Sequence, residues 1–246
     1  MATTKKTPGT AVAVKASANI VSIKDALKAQ VASTAGRIAP STGSAIRVSP
    51  GFFTLPDGTK TPGPLELVIV DFASKNLFYT GAYDPKNIVP PACFAIGTDI
   101  KSMAPSKNAP EPQATECSIC PNNAFGSSGD GKACKNSRVM AVLPPDADAD
   151  TPLWTLATSP TANKSFDGFV AGVARVFEMP PVGVIVTVSL DPNTTYAKLV
   201  FSDPKPNPNL EVCFARQAEA TQMLTVEPDV SGYVKAPARK AGVARR

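Results

Sequence analysis

Proline is the residue that most limits the folds open to this chain, because 25 prolines and 16 glycines are spread along its 246 residues. Proline lacks a backbone N–H and interrupts helices, and both residues favour turns. The proline-free stretch 163–178, NKSFDGFVAGVARVFE, has apolar side chains spaced by three and four, as in an amphipathic helix. Its predicted buried stripe consists of Phe166, Phe169, Val170, Val173, Val176 and Phe177. Composition therefore predicts a mainly β protein with few helices rather than a helical bundle.

Apolar runs of strand length account for the rest of the predicted core. Two hairpins are expected, one from LELVIVDF (65–72) and NLFYTGAY (76–83), the other from VGVIVTVSLD (182–191) and TYAKLVFSD (195–203). RVMAVLP (138–144) is a further strand, and a short helix is expected near 210–222. Hairpins with one packing helix favour a small OB-like (oligonucleotide-binding) β-barrel, and an α+β sandwich is the alternative architecture.

Positive charge is concentrated at the two ends of the chain. Residues 1–48 carry a net charge of +6 and residues 235–246 one of +5, whereas the whole chain carries +5. The sequence therefore predicts a basic N-terminal arm (1–48), a mildly acidic β-rich core domain (49–232) and a basic C-terminal tail (233–246). Such ends either contact polyanions such as nucleic acid or act as solvated tails that aid solubility.

The sequence has no feature of a secreted or membrane-spanning protein. No apolar run approaches the roughly 18 residues that cross a bilayer. The N-terminus lacks the continuous apolar stretch of a signal peptide. Five cysteines, an odd number at irregular spacing, suit a reducing compartment better than a disulfide framework. We expect a cytoplasmic protein with no membrane partner.

The segment GSSGDGKA (126–133) falls one residue short of the phosphate-binding pattern G-x-x-x-x-G-K-[ST]. A phosphate loop needs a buried strand before it, a helix after it, and a hydroxyl after the lysine to ligate magnesium. Ala133 occupies the hydroxyl position, and a strand rather than a helix is predicted to follow. We therefore do not expect this segment to bind nucleotide phosphates.

Four of the five cysteines fall in a proline-rich insertion, residues 84–137, of a length that a hydrophobic core alone rarely orders. Two are spaced C-x-x-C, which grips one ion from a tight turn, and the following glycines allow the chain to return with a third. The predicted metal ligands are Cys93, Cys117, Cys120 and Cys134. Zinc is the expected ion and an iron–sulfur cluster the alternative, while a reduced loop with incidental cysteines is the interpretation without a metal. Cys213 is predicted to be a buried thiol.

No catalytic site is predicted. The chain has no histidine, the commonest general base, and a closed shell of four thiolates leaves no position for water on the metal. The acidic residues Asp146, Asp148 and Asp150 alternate with alanine in a predicted turn. A solvated loop explains them, with a magnesium site as the alternative. We expect a protein that is not an enzyme.

Proteins that bind single strands combine cations for the phosphates with aromatic faces on which bases stack. The candidates are Lys132, Lys135 and Arg138 beside the knuckle, Tyr79 and Tyr83 in the first hairpin, and Tyr196 with Lys198 in the second. Tyr196 and Lys198 alternate and therefore share one face of the predicted strand. For each aromatic residue, packing in the core is the alternative interpretation.

The run CSICPNNAFGS…GKACKNSR, followed by a strand, a helix and a late hairpin, resembles bacteriophage zinc-containing single-stranded-DNA-binding proteins encoded among replication genes. The resemblance covers the cysteine segment and the next strand, not the tails. It implies non-enzymatic binding of single-stranded DNA in phage replication or recombination, in the host cytoplasm, with self-association or contacts to replication proteins. The chain departs from that family in its basic C-terminus and in lacking the histidine that such zinc sites commonly include. A structural protein of a virus particle with basic arms is the alternative function.

Overall fold

The computed structural model describes Ile23, Ala26, residues 44–81, Asp84 and residues 86–234. Tyr83 and most of the predicted arm (1–48) and tail (233–246) lie outside the described residues. The strands are β1 (Ala45–Ser49), β2 (Phe52–Thr54), β3 (Lys60–Thr61), β4 (Leu65–Phe78), β5 (Cys93–Gly97), β6 (Lys135–Leu143), β7 (Trp154–Ala157), β8 (Val184–Leu190) and β9 (Leu199–Pro206). The helices are α1 (Asn163–Phe177), α2 (Leu210–Ala215) and α3 (Gln217–Leu224). None of the helices in this described part is long and apolar enough to cross a membrane.

The strands form one sheet in the order β3-β2-β1-β7-β6-β4-β8-β9, and β5 pairs with β4 outside this path. The sheet is strongly curled into a half-barrel. The strand register shifts between Ile69 and Asp71 in β4 and between Ile185 and Thr187 in β8, and such irregularities increase strand bending and twist. The prediction of a mainly β protein with few helices is confirmed, and the curled sheet is consistent with an OB-like barrel.

The first predicted hairpin is wrong, because residues 65–78 form the single 14-residue strand β4. Its first residues pair with β8, and its second half lies between β6 and β5. The polar residues of the sequence Ala-Ser-Lys-Asn, which suggested a turn, continue the ladder: Ser74 lies opposite Arg138, and Asn76 lies opposite Asn136. β4 therefore connects the apolar part of the sheet to a polar end.

Both faces of β4 are buried near its start, and the helices cover them. Leu67 and Ile69 belong to a core that includes α1, whereas Val68 and Val70 belong to a second core that includes α2 and α3. Helix α1 follows the predicted period, but Val176 is 69% exposed and does not join the buried stripe. The ring of Phe166 packs edge-on against two strand phenylalanines, Phe72 at 5.0 Å and Phe201 at 5.2 Å between centroids.

The second predicted hairpin is confirmed as β8 and β9. The further strand predicted at 138–144 is confirmed as β6. The helix expected over 210–222 is instead two short helices, α2 and α3, which meet at Arg216. Cys213 in α2 is fully buried in the second core, as predicted for a structural thiol. The turn at 146–150 is closed locally, because the Asp148 carboxylate accepts hydrogen bonds from the Asp150 N–H (3.0 Å) and the Thr151 hydroxyl (2.7 Å).

Candidate functional site

The predicted insertion (84–137) contains strand β5 and the first residues of β6, and the irregular segment between these strands is ordered by hydrogen bonds to the backbone at the start of β5. The Ser106 N–H donates to the Phe94 carbonyl (2.9 Å), and the Glu111 N–H donates to the Ala92 carbonyl (2.7 Å). The Glu227 carboxylate links this segment to the chain after α3, because it accepts hydrogen bonds from the Ser106 hydroxyl (2.5 Å) and the Asn108 amide (2.7 Å). The long irregular segment is therefore held in one place, with the cysteine turn at its far end.

The fold brings the four predicted ligand cysteines to one small cavity. Cys93 begins β5 opposite Phe78, and Cys134 directly precedes β6, whose first residue lies opposite Leu77. The Cys134 N–H donates to the Asn122 carbonyl (2.8 Å), which returns the glycine turn to the C-x-x-C knuckle. The shared cavity measures about 20 Å³, enough for one water-sized occupant.

The electrostatics of this cavity disfavour negative charge on Cys93, Cys117 and Cys134 unless a cation joins them. Burial raises the pKa of the Cys93 and Cys117 thiols, and burial with the neighbouring cysteines raises the pKa of Cys134 to about 12. Against the effect of burial, the Gln113 backbone N–H lowers the pKa of Cys93 and the Asn76 side chain lowers that of Cys117. N–H donors of this kind support thiolates in metal sites, where the ion supplies the missing positive charge.

These cysteines are all free, and no three Cys, Asp or Glu side chains in the described ranges already stand as a group able to hold a metal ion. The four thiols share a cavity and act on one another electrostatically, but their side chains have not closed on a common centre. Rotation of the cysteine side chains onto a centre would be needed to form a tetrahedral shell. The predicted ligand set of Cys93, Cys117, Cys120 and Cys134 therefore stays a prediction.

The glycine turn next to the knuckle differs from a phosphate loop. The Gly126 N–H donates to the Gly131 carbonyl (2.9 Å), and Ser128 and Gly131 form a bridge, so the turn closes on itself. Strand β6 begins at Lys135, where a phosphate loop would start a helix. The backbone N–H groups of Gly126, Ser127, Ser128 and Gly131 are thus used within the turn rather than arranged around an anion.

A large cleft of about 950 Å³ lies beside the cysteine cavity, and Cys117 and Cys134 border both. Four of the seven nucleic-acid-binding residues predicted from the sequence line this cleft: Lys132, Lys135, Arg138 and Tyr196. Lys101 adds a further cation, and Asp130 is the acidic residue in the lining. The excess of basic over acidic side chains suits the cleft to a polyanion.

The three lysines of the cleft are available to a ligand. The Lys132 ammonium contacts the Asn123 amide oxygen (3.3 Å), and the Lys135 ammonium contacts the Lys132 carbonyl (3.1 Å). None of Lys101, Lys132 and Lys135 forms a salt bridge within the described part of the chain. Their charge can therefore neutralise phosphate without first breaking an ion pair.

Arg138 is not the exposed cation that the sequence suggested. It is 8% exposed, and its guanidinium donates two hydrogen bonds to the Asp167 carboxylate of α1, at 3.0 and 2.9 Å. A paired, buried guanidinium holds the helix to the sheet at the cleft floor rather than offering a free charge.

The second hairpin also differs in detail from the prediction. Tyr196 lies in the loop before β9 rather than in a strand, so it does not alternate with Lys198 on one face. The Lys198 ammonium forms an ion pair with the Asp191 carboxylate (2.8 Å), which closes the base of the loop that carries Tyr196. Tyr79 is 37% exposed just after β4 and does not line the cleft. Tyr196, 49% exposed, is therefore the predicted tyrosine that the fold brings into the cleft.

Phe125 is the cleft residue that the sequence reasoning missed. Its ring is 78% exposed and lines the cleft from the cysteine turn. It stands in the polar run PNNAFGSSG, where no apolar periodicity assigns it to a core. An isolated aromatic residue in a polar turn indicates an exposed apolar side chain, and this signal could have identified Phe125 from the sequence. Phe94 at the start of β5, by contrast, is 1% exposed and belongs to the core.

Comparisons with protein-family models, with curated proteins and with solved structures found no match to this chain. The cleft and the cysteine cavity are therefore the features from which a function can be inferred.

Proposed function

We propose that this protein is a non-enzymatic binder of single-stranded DNA, which it holds in the cleft beside the cysteine cavity. The observation that carries the proposal is the joint exposure of Phe125 (78%) and Tyr196 (49%) in a cleft that also presents three lysines. Bases of a single strand stack on aromatic faces, while lysines neutralise its phosphates. Duplex bases already stack on one another, so exposed rings favour a single strand over a duplex.

The cysteine site completes this proposal as a structural element. Cys93, Cys117, Cys120 and Cys134 would hold one zinc ion, with an iron–sulfur cluster as the alternative occupant. The metal would fix the turn that carries Phe125 and Lys132 to the ends of β5 and β6. Bound zinc supplies cross-linking of these segments, and four thiolates leave it no open position for a substrate.

The biological setting follows from the sequence resemblance alone. The choice of DNA over RNA, a role in phage replication or recombination, and action in the host cytoplasm are part of the same proposal. Self-association or contact with replication proteins belongs to it as well. The basic tails, which lie largely outside the described residues, would add charge that reaches strand phosphates.

The direct test is the affinity of the full chain for a labelled single-stranded oligonucleotide, measured by fluorescence anisotropy. Phe125→Ala and Tyr196→Ala should each weaken binding by roughly 5-fold or more, because stacking of one base contributes about 1–3 kcal/mol. Phe214→Ala is the matched control, since Phe214 is 56% exposed but lies outside the cleft. Equal losses in all three variants would refute the cleft as the binding surface.

The binding measurement, together with a test for self-assembly, distinguishes the proposed function from the alternative, a structural protein of a virus particle. That function predicts assembly of the purified chain into particles or filaments without nucleic acid. Absence of strand binding at low salt, together with such assembly, would overturn the proposal in its favour.

A further inference from the structure

The floor of the cleft is built from polar side chains that are buried in the sheet. Among the described residues, the buried polar or charged side chains are Ser74, Asn76, Arg138, Thr158 and Asn207. Ser74, Asn76 and Arg138 line the cleft, and Thr158 bonds directly to the backbone of Arg138 (2.7 Å from the Arg138 N–H to the hydroxyl). Four of these five buried polar residues, all except Asn207, thus lie at or beside the cleft floor, where apolar side chains would give a more stable sheet.

The strand register explains how these residues share a face. Ser74 and Asn76 alternate along β4, and their partners on β6 are Arg138 and Asn136. One step toward the core on the same face, the pair Phe72 and Met140 packs against α1. The inner face of these two strands therefore changes from apolar to polar where the cleft begins.

The asparagine pair at the end of this face is held in a defined orientation. The Asn136 amide N–H donates to the Asn76 side-chain oxygen. The Asn163 amide donates to the Asn136 backbone carbonyl (3.1 Å), which fixes the strand beside it. The Asn76 side-chain oxygen is thus occupied, whereas Asn136 keeps its own side-chain oxygen and one amide hydrogen for a ligand in the cleft.

We propose that this polar floor is a base-reading pocket, in which the Asn136 amide hydrogen-bonds the edge of one nucleobase of the bound strand. The proposal rests on the proposed function and deepens it, because it adds base discrimination to a site that stacking and charge alone would leave indifferent to sequence. A carboxamide offers a donor and an acceptor side by side, which matches the edges of bases. In this arrangement a base stacks on Phe125 or Tyr196, which are the exposed aromatic residues of the cleft. The edge of the base then faces the asparagine pair at the cleft floor.

The test compares Asn136→Ala with the unaltered full chain on single strands of equal length: four homopolymers and one abasic strand. We expect Asn136→Ala to lose about 5-fold or more in affinity for the preferred homopolymer and less than about 2-fold for the abasic strand. The spread of affinities across the homopolymers should narrow, and the salt dependence should stay unchanged because no phosphate contact is removed. Asn87→Ala, an exposed asparagine outside the cleft, is the matched control.

Two results would overturn the inference, and they are distinguishable from failure of the proposed function. A loss that is equal on every strand, the abasic one included, would show that Asn136 supports the fold rather than reading a base. No loss on any strand would show that the floor does not touch the bases. If the variant still binds the abasic strand, it is folded. If Asn136→Ala is unstable, the same measurements are made on Asn136→Ser. Absence of binding by the unaltered chain would refute the proposed function itself.

Discussion

Removing the three unpaired lysines of the cleft should change how binding depends on salt. In the variant Lys101→Gln, Lys132→Gln, Lys135→Gln, three positive charges leave the cleft lining without breaking a salt bridge of the described chain. Each phosphate contact on a single strand contributes about 0.7 to the slope of log affinity against log salt concentration. The slope should therefore fall by up to about 2 if all three lysines meet phosphates.

That slope translates into a measurable affinity difference. Between 50 and 200 mM salt, a slope of about 2 corresponds to roughly a 20-fold loss of affinity. Over this salt range the affinity of the unaltered chain should therefore fall by up to this factor more than the affinity of the variant. Fluorescence anisotropy of a labelled oligonucleotide across a salt series measures both proteins, and the variant should still bind because the stacking residues remain.

A control with the same net charge separates local contacts from general attraction. Lys86, Lys107 and Lys164 are exposed, lie outside the cleft and form no salt bridge in the described part of the chain, so their replacement by glutamine removes the same total charge. The control triple variant should keep a slope close to that of the unaltered chain. If both triple variants lower the slope equally, the attraction is a property of the whole surface and the cleft assignment is refuted.

Three further predictions concern stability, metal and pH. Phe166→Ala should destabilise the protein by about 3–5 kcal/mol in denaturant unfolding, since Phe166 is fully buried, and the exposed Val176→Ala should change little; similar effects would contradict the assigned core. Purified protein should contain about one zinc per chain, which Cys134→Ser should reduce and Cys213→Ala should not; elemental analysis showing equal content would disprove the ligand set. The hydrogen bond from Lys198 lowers the pKa of Asp191, so the stabilisation from this pair is present above the ordinary carboxyl pKa and lost as pH falls through the lowered value. An NMR titration should show a lowered Asp191 midpoint that returns toward its ordinary value in Lys198→Ala, and an unshifted midpoint in the unaltered chain would contradict the pairing.

The elements that were predictable from the sequence are those whose signals are local. Helix α1 is a proline-free segment with apolar residues at helical spacing, and Met179 and two prolines follow its end. Strands β8 and β9 flank a turn containing Asp191 and Pro192, and the hairpin was correctly predicted. In each case the period and the turn residues agree with the final structure, so local reasoning is sufficient.

Strand β4 was mispredicted for a reason connected with the cleft. Its second half contains Ser74, Lys75 and Asn76, which are uncommon in a buried strand and normally indicate a turn. Here pairing with β5 and β6 on both sides continues the strand through these residues, and Ser74 and Asn76 line the floor of the cleft. The sequence pattern thus failed where polar side chains are built into the sheet, at the cleft to which we assign the proposed function.

The cleft itself was only partly predictable, because its residues come together through distant pairings. Lys132 and Lys135 were found by their position beside the cysteine knuckle. The pairing of Arg138 with Asp167 joins a strand to a helix 29 residues away, which no local charge pattern reveals. Phe125 and Lys101 lie in irregular segments and share the cleft only because the insertion folds back along β5.

Photochemical cross-linking tests the central claim most directly, because it reports which side chains touch the bases. A single-stranded oligonucleotide containing a halogenated pyrimidine would be irradiated with the full chain, and the cross-linked peptides would be sequenced by mass spectrometry. Stacking in the cleft predicts cross-links at Phe125 and Tyr196, which should disappear when an unlabelled strand competes. Cross-links concentrated at exposed aromatic residues outside the cleft, such as Phe214 or Tyr79, would contradict the claim that the strand lies in this cleft.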